Sequence, residues 1–194
     1  MNAPSPSGAR FRLVLLAVLF LGPVIAAITI FFYAPEWFSG RVNYGTLVSP
    51  ARVVPDLVLS DPAGAPKPGA LRDKWSLVYL AGTACDDRCG ARLALARQVR
   101  LALNQNRGRV QRVYLAPDAA AAAAARAQLA AGHPDLVVLA ASAAAARAFF
   151  QPTDRDALYL LDPLGNWLMT YAGEVEHRGL HRDLKKLLRI SRVG

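Results

Sequence analysis

A chain of 194 residues has room for a membrane segment and one domain with a real core. Its formal net charge is +9, and much of this lies in residues 177–194, where six arginines and lysines face Asp183 alone. The apolar N-terminus described next places that charge outside the cytoplasm. This excludes nucleic acid and leaves anionic lipid, an acidic protein, or a plain solvated helix face as its counterpart.

Residues 13–33, LVLLAVLFLGPVIAAITIFFY, carry no charge. As a helix they extend roughly 30 Å, enough to cross a bilayer core. Pro23 bends such a helix without excluding a span. Arg10 and Arg12 precede the stretch, and Glu36 is the first charge after it. The positive-inside bias therefore predicts that residues 1–12 are cytoplasmic, 13–33 a single-pass anchor in the inner (plasma) membrane, and the rest of the chain periplasmic. A cleaved signal peptide is the alternative, but its apolar region is only about 7–15 residues and ends in small residues. Here the stretch ends in Phe31, Phe32 and Tyr33.

Residues 34–54 mix Pro, Gly and aromatics without a period and read as a stalk, leaving 55–194 as the domain. Leu57 and Leu59 alternate with Val58 and Ser60 as a short strand before an Asp61-Pro62 turn. WSLVYLA (75–81) reads as a strand buried in a parallel sheet. The next stretch, about 88–106, has Leu93, Ala96, Val99 and Leu103 at helical spacing and ends before Gly108. VQRVYLA (110–116) is a strand, followed by an alanine-rich helix that Gly132, His133 and Pro134 stop. DLVVLAA (135–141) and SAAAARAFF (142–150) repeat the strand–helix pattern, and ALYLLDPLGNWLMTYAG (157–173) predicts a hairpin. GLHRDLKKLLRI (179–190) closes the chain as an amphipathic helix. The pattern implies an α/β mixed sheet with helices on both faces.

Between the first long strand and its helix lie the only two cysteines, Cys85 and Cys89. Three roles are open to them: a structural staple, a redox couple, or two soft ligands for a metal. A staple over three intervening residues gains little entropy, because the benefit grows with loop length. A helix N-terminus favours thiolate over thiol, and Arg88 adds to this. Asp86 and Asp87 oppose it, although one of them is a natural N-cap. Two sulfurs suit monovalent copper but make a poor site without a third ligand.

The anchor, P-D-L-V-L with its D-P-A-G turn (55–64), L-V-Y-L (77–80), C-D-D-R-C (85–89) and Y-L-L-D-P-L-G (159–165) together resemble the Sco/SenC family. Those are membrane-anchored, thioredoxin-like proteins that help assemble the binuclear copper centre of cytochrome oxidase. The resemblance implies a thioredoxin-like fold and assigns the two thiolate copper ligands to Cys85 and Cys89. Family members typically read C-P-D-x-C, so Asp87 matches and Asp86 stands in place of proline. Their third ligand, a histidine shortly before the Y-L-x-D-P-x-G strand, falls on Asp154, a hard oxygen donor. His133, His177 and His181 lie elsewhere in the sequence; the last two, at i and i+4, could share a metal but read as surface residues.

Without that histidine, the resemblance implies thiol–disulfide exchange in cytochrome c oxidase assembly. Cys85 would be the attacking thiolate and Cys89 the resolving one. The partner would be the copper-bearing oxidase subunit or another assembly factor. A copper(I) metallochaperone using the same two cysteines, and a non-catalytic membrane-tethered scaffold, are the other readings.

Overall fold

The computed structural model describes residues 6–33, 43–54, 57–82, 84–152 and 154–191. It divides into two units, residues 1–42 and 43–194, each taken by itself. In the first unit, helix α1 (Pro6–Tyr33) contains Pro23 without ending there. Its segment Arg10–Tyr33 is long and apolar enough to cross a membrane. Residues 1–5 of the expected cytoplasmic segment, and 34–42 of the expected stalk, lie outside the described residues.

The second unit is a six-stranded sheet in the order β1-β6-β5-β2-β3-β4. Its strands are β1 (Thr46–Val53), β2 (Trp75–Leu80), β3 (Val110–Ala116), β4 (Leu136–Ala140), β5 (Leu158–Leu161) and β6 (Asn166–Tyr171). β2, β3 and β4 are mutually parallel, while β5 and β6 form the expected hairpin and add antiparallel pairings to β2 and β1. Helices α2 (Asp87–Ala102), α3 (Ala119–Leu129), α4 (Ala143–Phe150) and α5 (His177–Ile190) connect or close the strands. This is the mixed, thioredoxin-like sheet with flanking helices that the sequence predicts.

Each sheet face carries its own core. Trp75, Leu77 and Tyr79 of β2 point to one face, packed with Leu93 and Val99 of α2, Ala122 and Ala125 of α3, and Leu180 and Leu184 of α5. Val78 points to the other face, with Ala146 and Phe150 of α4 and Leu59 and Leu71 from the loop before β2. Both faces of β2 are covered, so its sequence is a continuous apolar run rather than an alternation.

Three elements depart from expectation. Residues 46–53 of the expected stalk form β1, an edge strand paired to β6 with a break in register between Leu47 and Arg52. Nearly all its side chains are exposed, so no face is buried and no alternation marks it in the sequence. Conversely, residues 57–59 are not a strand; Ser60 makes only isolated bridges to Pro66 and Ala140. The helix expected to 106 also stops earlier, at Ala102, and a 3₁₀ turn (Asn104–Arg109) leads into β3.

Where the chain enters β1 it is tied to α5. The carboxylate of Asp183, 2% exposed, accepts from the backbone N–H groups of Tyr44 at 2.8 Å and Gly45 at 3.0 Å, and from the Tyr171 hydroxyl at 3.2 Å. Tyr44 packs against Gly179, where a Cβ would come within 2.7 Å of its ring. Only glycine allows that approach.

Candidate functional site

The end of β2, an interior strand, delivers the chain to the cysteine loop. Asp86 is the N-cap of α2, its Oδ1 accepting from the Cys89 backbone N–H at 3.0 Å. The sequence leaves the cap open between Asp86 and Asp87; Asp86 takes it, which fixes the residues that open the helix. Cys85 precedes the cap and Cys89 lies in the first turn. Their Cα atoms are 5.2 Å apart and the two are joined by a disulfide. Two cysteines both inside a regular helix at this spacing seldom meet the bridging geometry; having Cys85 in the loop permits it.

The two sulfur-bearing residues differ in access. Cys89 is 1% exposed within the core of the α2 face, whereas Cys85 is partly buried at its edge. Gln128 of α3 holds the loop by donating to the Cys85 carbonyl at 3.1 Å. Asp86 spends its second oxygen on Arg155, at 2.6 Å in an exposed pair. The Cys89 N–H above all, with help from Arg155 and Arg88, holds the Asp86 carboxyl below the usual carboxylate range. Asp86 is therefore ionised at neutral pH, and it is the residue next to Cys85 in the chain.

Replacing it by asparagine keeps the cap and removes the charge. We expect Asp86→Asn to lower the Cys85 thiol pKa by about half a unit or more, because a neighbouring anion disfavours the thiolate. The pH dependence of iodoacetamide alkylation of the reduced chain measures this. An unchanged or higher value would contradict the arrangement.

Beneath the loop, Tyr79 and Tyr114 stack with centroids 5.9 Å apart. Burial pushes both phenols up, and Tyr79 donates to Asp156 at 3.1 Å. Asp154 turns inward to its own backbone. One oxygen accepts from Asp156 N–H at 3.0 Å and the other from Gly173 N–H at 2.6 Å, bonds that lower its pKa. Arg92 closes the same corner by donating to the Gly173 carbonyl at 2.6 Å. A cleft lined by Arg88, Arg92, Asp154, Asp156 and Glu174 opens beside α2, and neither cysteine lines it.

The histidines are not gathered at this site. His133 Nδ1 lies 3.3 Å from an Arg112 nitrogen. His177 and His181 stack on each other along α5, and His181 contacts the Ala102 carbonyl. Among the described residues, no group of three or more His, Cys, Asp or Glu is placed to hold a metal ion. Two sulfurs are a soft pair of the kind monovalent copper takes, while Asp154, where the resemblance places a third ligand, is committed to two backbone N–H groups.

Sequence reasoning pointed to Cys85, Cys89 and Asp86 but not to Gln128, Arg155, Asp156 or Gly173. Gln128 and Arg155 reach the loop, and Asp156 and Gly173 reach Tyr79 and Arg92 on the flanking strand and helix, only through the fold; a glutamine, an arginine or a glycine carries no spacing signal of its own.

A disulfide at the mouth of the first helix after the central strand of a mixed sheet defines a thioredoxin-like protein. The chain belongs to the family described as transmembrane-like, thioredoxin-like, C-terminal domain, which matches residues 75–191. No curated protein sequence matches it. Solved structures show the same fold in Sco proteins. Yeast Sco1 with copper bound superposes with a TM-score of 0.58 at 19% identity, over 71% of this chain and 92% of that one. Arabidopsis thaliana ScoI with copper bound gives 0.55 at 17%, over 76% and 99%. BsSco, described as a member of the Sco family of cytochrome c oxidase assembly proteins with a disulfide switch, gives 0.53 at 15%, over 72% and 96%.

Proposed function

We propose that this protein is a membrane-anchored, periplasm-facing accessory factor for cytochrome c oxidase assembly that works by thiol–disulfide exchange through Cys85 and Cys89. One observation carries the reading: the two cysteines are bonded across the start of α2 with Cys85 at the edge and Cys89 inside. The Sco neighbours, one of them with a disulfide switch, support it. The positive-inside bias around α1 supports the periplasmic placement.

In the reduced protein the Cys85 thiolate attacks a disulfide sulfur of the partner, expelling one partner thiolate and forming a mixed disulfide. The Cys89 thiolate then attacks the Cys85 sulfur, releasing the partner's second thiolate. Two electrons have passed to the partner, and the Cys85–Cys89 disulfide is restored. An external dithiol donor must reduce it for another cycle. A reduced pair of cysteines in a copper-bearing oxidase subunit, or in another assembly factor, is the product such chemistry supplies.

The test uses the full chain in detergent, equilibrated with dithiol redox buffers and titrated with monovalent copper after reduction. We expect a midpoint potential above about −300 mV and no tight stoichiometric copper complex. A potential far below that marks an inert bridge and refutes exchange. A tight complex would show a metallochaperone instead.

A further inference from the structure

The solvent face of α5 carries a charge pattern that the thiol chemistry does not use. Arg178, Arg182, Lys185 and Arg189 follow one another at intervals of four, three and four residues and are all exposed. This spacing sets them in one line along the helix. The helix's only acid, Asp183, is turned into the core and is occupied by Tyr44, Gly45 and Tyr171. Among the described residues, none of the four basic side chains takes part in a salt bridge. Exposed apolar side chains border the line: Ile190 at the end of α5, and Tyr44, whose hydroxyl accepts from Arg182 at 3.4 Å.

We infer that this face of α5 is a docking surface for anionic phospholipid headgroups. Charge is the first argument: four cations in a row with no ion pair among the described residues, with an aromatic ring and an isoleucine beside them, match an acidic lipid interface. The tether is the second. The chain reaches the domain at Tyr44, directly on α5, and only residues 34–42 separate Asn43 from the end of the apolar helix α1. Nine residues span at most about 30 Å, so lipid is the anion that the chain itself keeps within reach. An acidic protein has no comparable support. The inference relies on α1 entering a bilayer and is independent of the cysteines.

The test places the full chain in nanodiscs of phosphatidylcholine alone or with one third phosphatidylglycerol, and follows lysine acetylation by mass spectrometry. At low salt, phosphatidylglycerol should slow labelling of Lys185 by about threefold or more, and high salt should restore it. Lys67, in the loop that packs on the opposite sheet face, should label equally in both discs. Combining Arg178→Gln, Arg182→Gln and Arg189→Gln should remove the protection of Lys185. Equal Lys185 labelling in the two discs would overturn the inference. Protection by soluble polyglutamate but not by phosphatidylglycerol would also overturn it, in favour of an acidic protein.

Discussion

Cys89→Ser should accumulate mixed disulfides through Cys85 when the reduced chain meets an oxidised partner or a model disulfide, whereas Cys85→Ser should form almost none. The asymmetry follows from burial. Cys89 is 1% exposed, beyond the reach of another protein's sulfur, while Cys85 stands at the edge of the loop. Without Cys89 the first displacement still occurs, but no neighbouring thiolate resolves it. Without Cys85 the remaining thiol is enclosed, and exchange should fall by about two orders of magnitude or more. Non-reducing gels and the release rate of a chromogenic thiol read both outcomes. Faster reaction of Cys85→Ser than of Cys89→Ser would reverse the roles assigned here. In cells, a double variant that left oxidase copper content intact would reduce the domain to a scaffold.

The second large effect concerns stability. Arg112 of β3 is 1% exposed, its guanidinium held by Asp135 at 2.5 Å, by the Leu93 carbonyl at 3.1 Å and beside His133. Arg100 donates to the other Asp135 oxygen at 2.8 Å. Asp135→Ala would leave a buried cation without its counter-ion, which typically costs about 3–5 kcal/mol. The carboxylate is about one-third exposed, and water screening reduces the expected loss to about 2–4 kcal/mol. That is a large share of a domain's usual stability. Replacing Arg112 and Asp135 together by apolar residues should cost less than Asp135→Ala alone, since the buried Arg112 charge is then no longer stranded, while the less deeply buried Arg100 loses its carboxylate in both variants. Urea unfolding of the full chain, followed by near-ultraviolet circular dichroism, distinguishes the two; a harmless Asp135→Ala would refute the pair's importance.

The same pair sets a pH dependence. Burial alone would raise the Asp135 pKa, but the Arg112 hydrogen bond and charge outweigh it, and the value lies below the ordinary 3.8. The unfolded chain therefore binds the proton first. The pair's stabilisation is complete above about pH 4 and is lost as pH falls through the lower folded value. His133 acts in a higher window. Burial and Arg112 depress its pKa below 6.5, so its contribution is present above that pH and declines below it.

Much of the fold was legible because burial on both faces writes itself as apolar runs. WSLVYL, VQRVYLA and LVVLA are strands covered by helices on each side, and the Ser142 and Gly132 boundaries punctuate the helices between them. β1 was hidden for the opposite reason: an exposed edge strand buries nothing that a pattern could record. Residues 57–59 misled because Leu59 is buried while Val58 is exposed, an alternation that a packed loop produces without any ladder. At the site, the cysteines and the capping aspartate are local to ten residues and could be read directly. Arg155 and Gln128 meet that loop across sequence separations of 69 and 43, and no local rule links them to it.

The way the chain enters the domain has a mechanical consequence. Any pull arriving through Asn43 is felt first at β1, on the rim of the sheet, and at the single carboxylate of Asp183. The cysteine loop hangs instead from β2, which is laced to β3 and β5 on either side. Tension along the tether would peel the rim before it disturbed the geometry of the two sulfurs, so a pull on the N-terminal segment leaves the Cys85–Cys89 loop at rest.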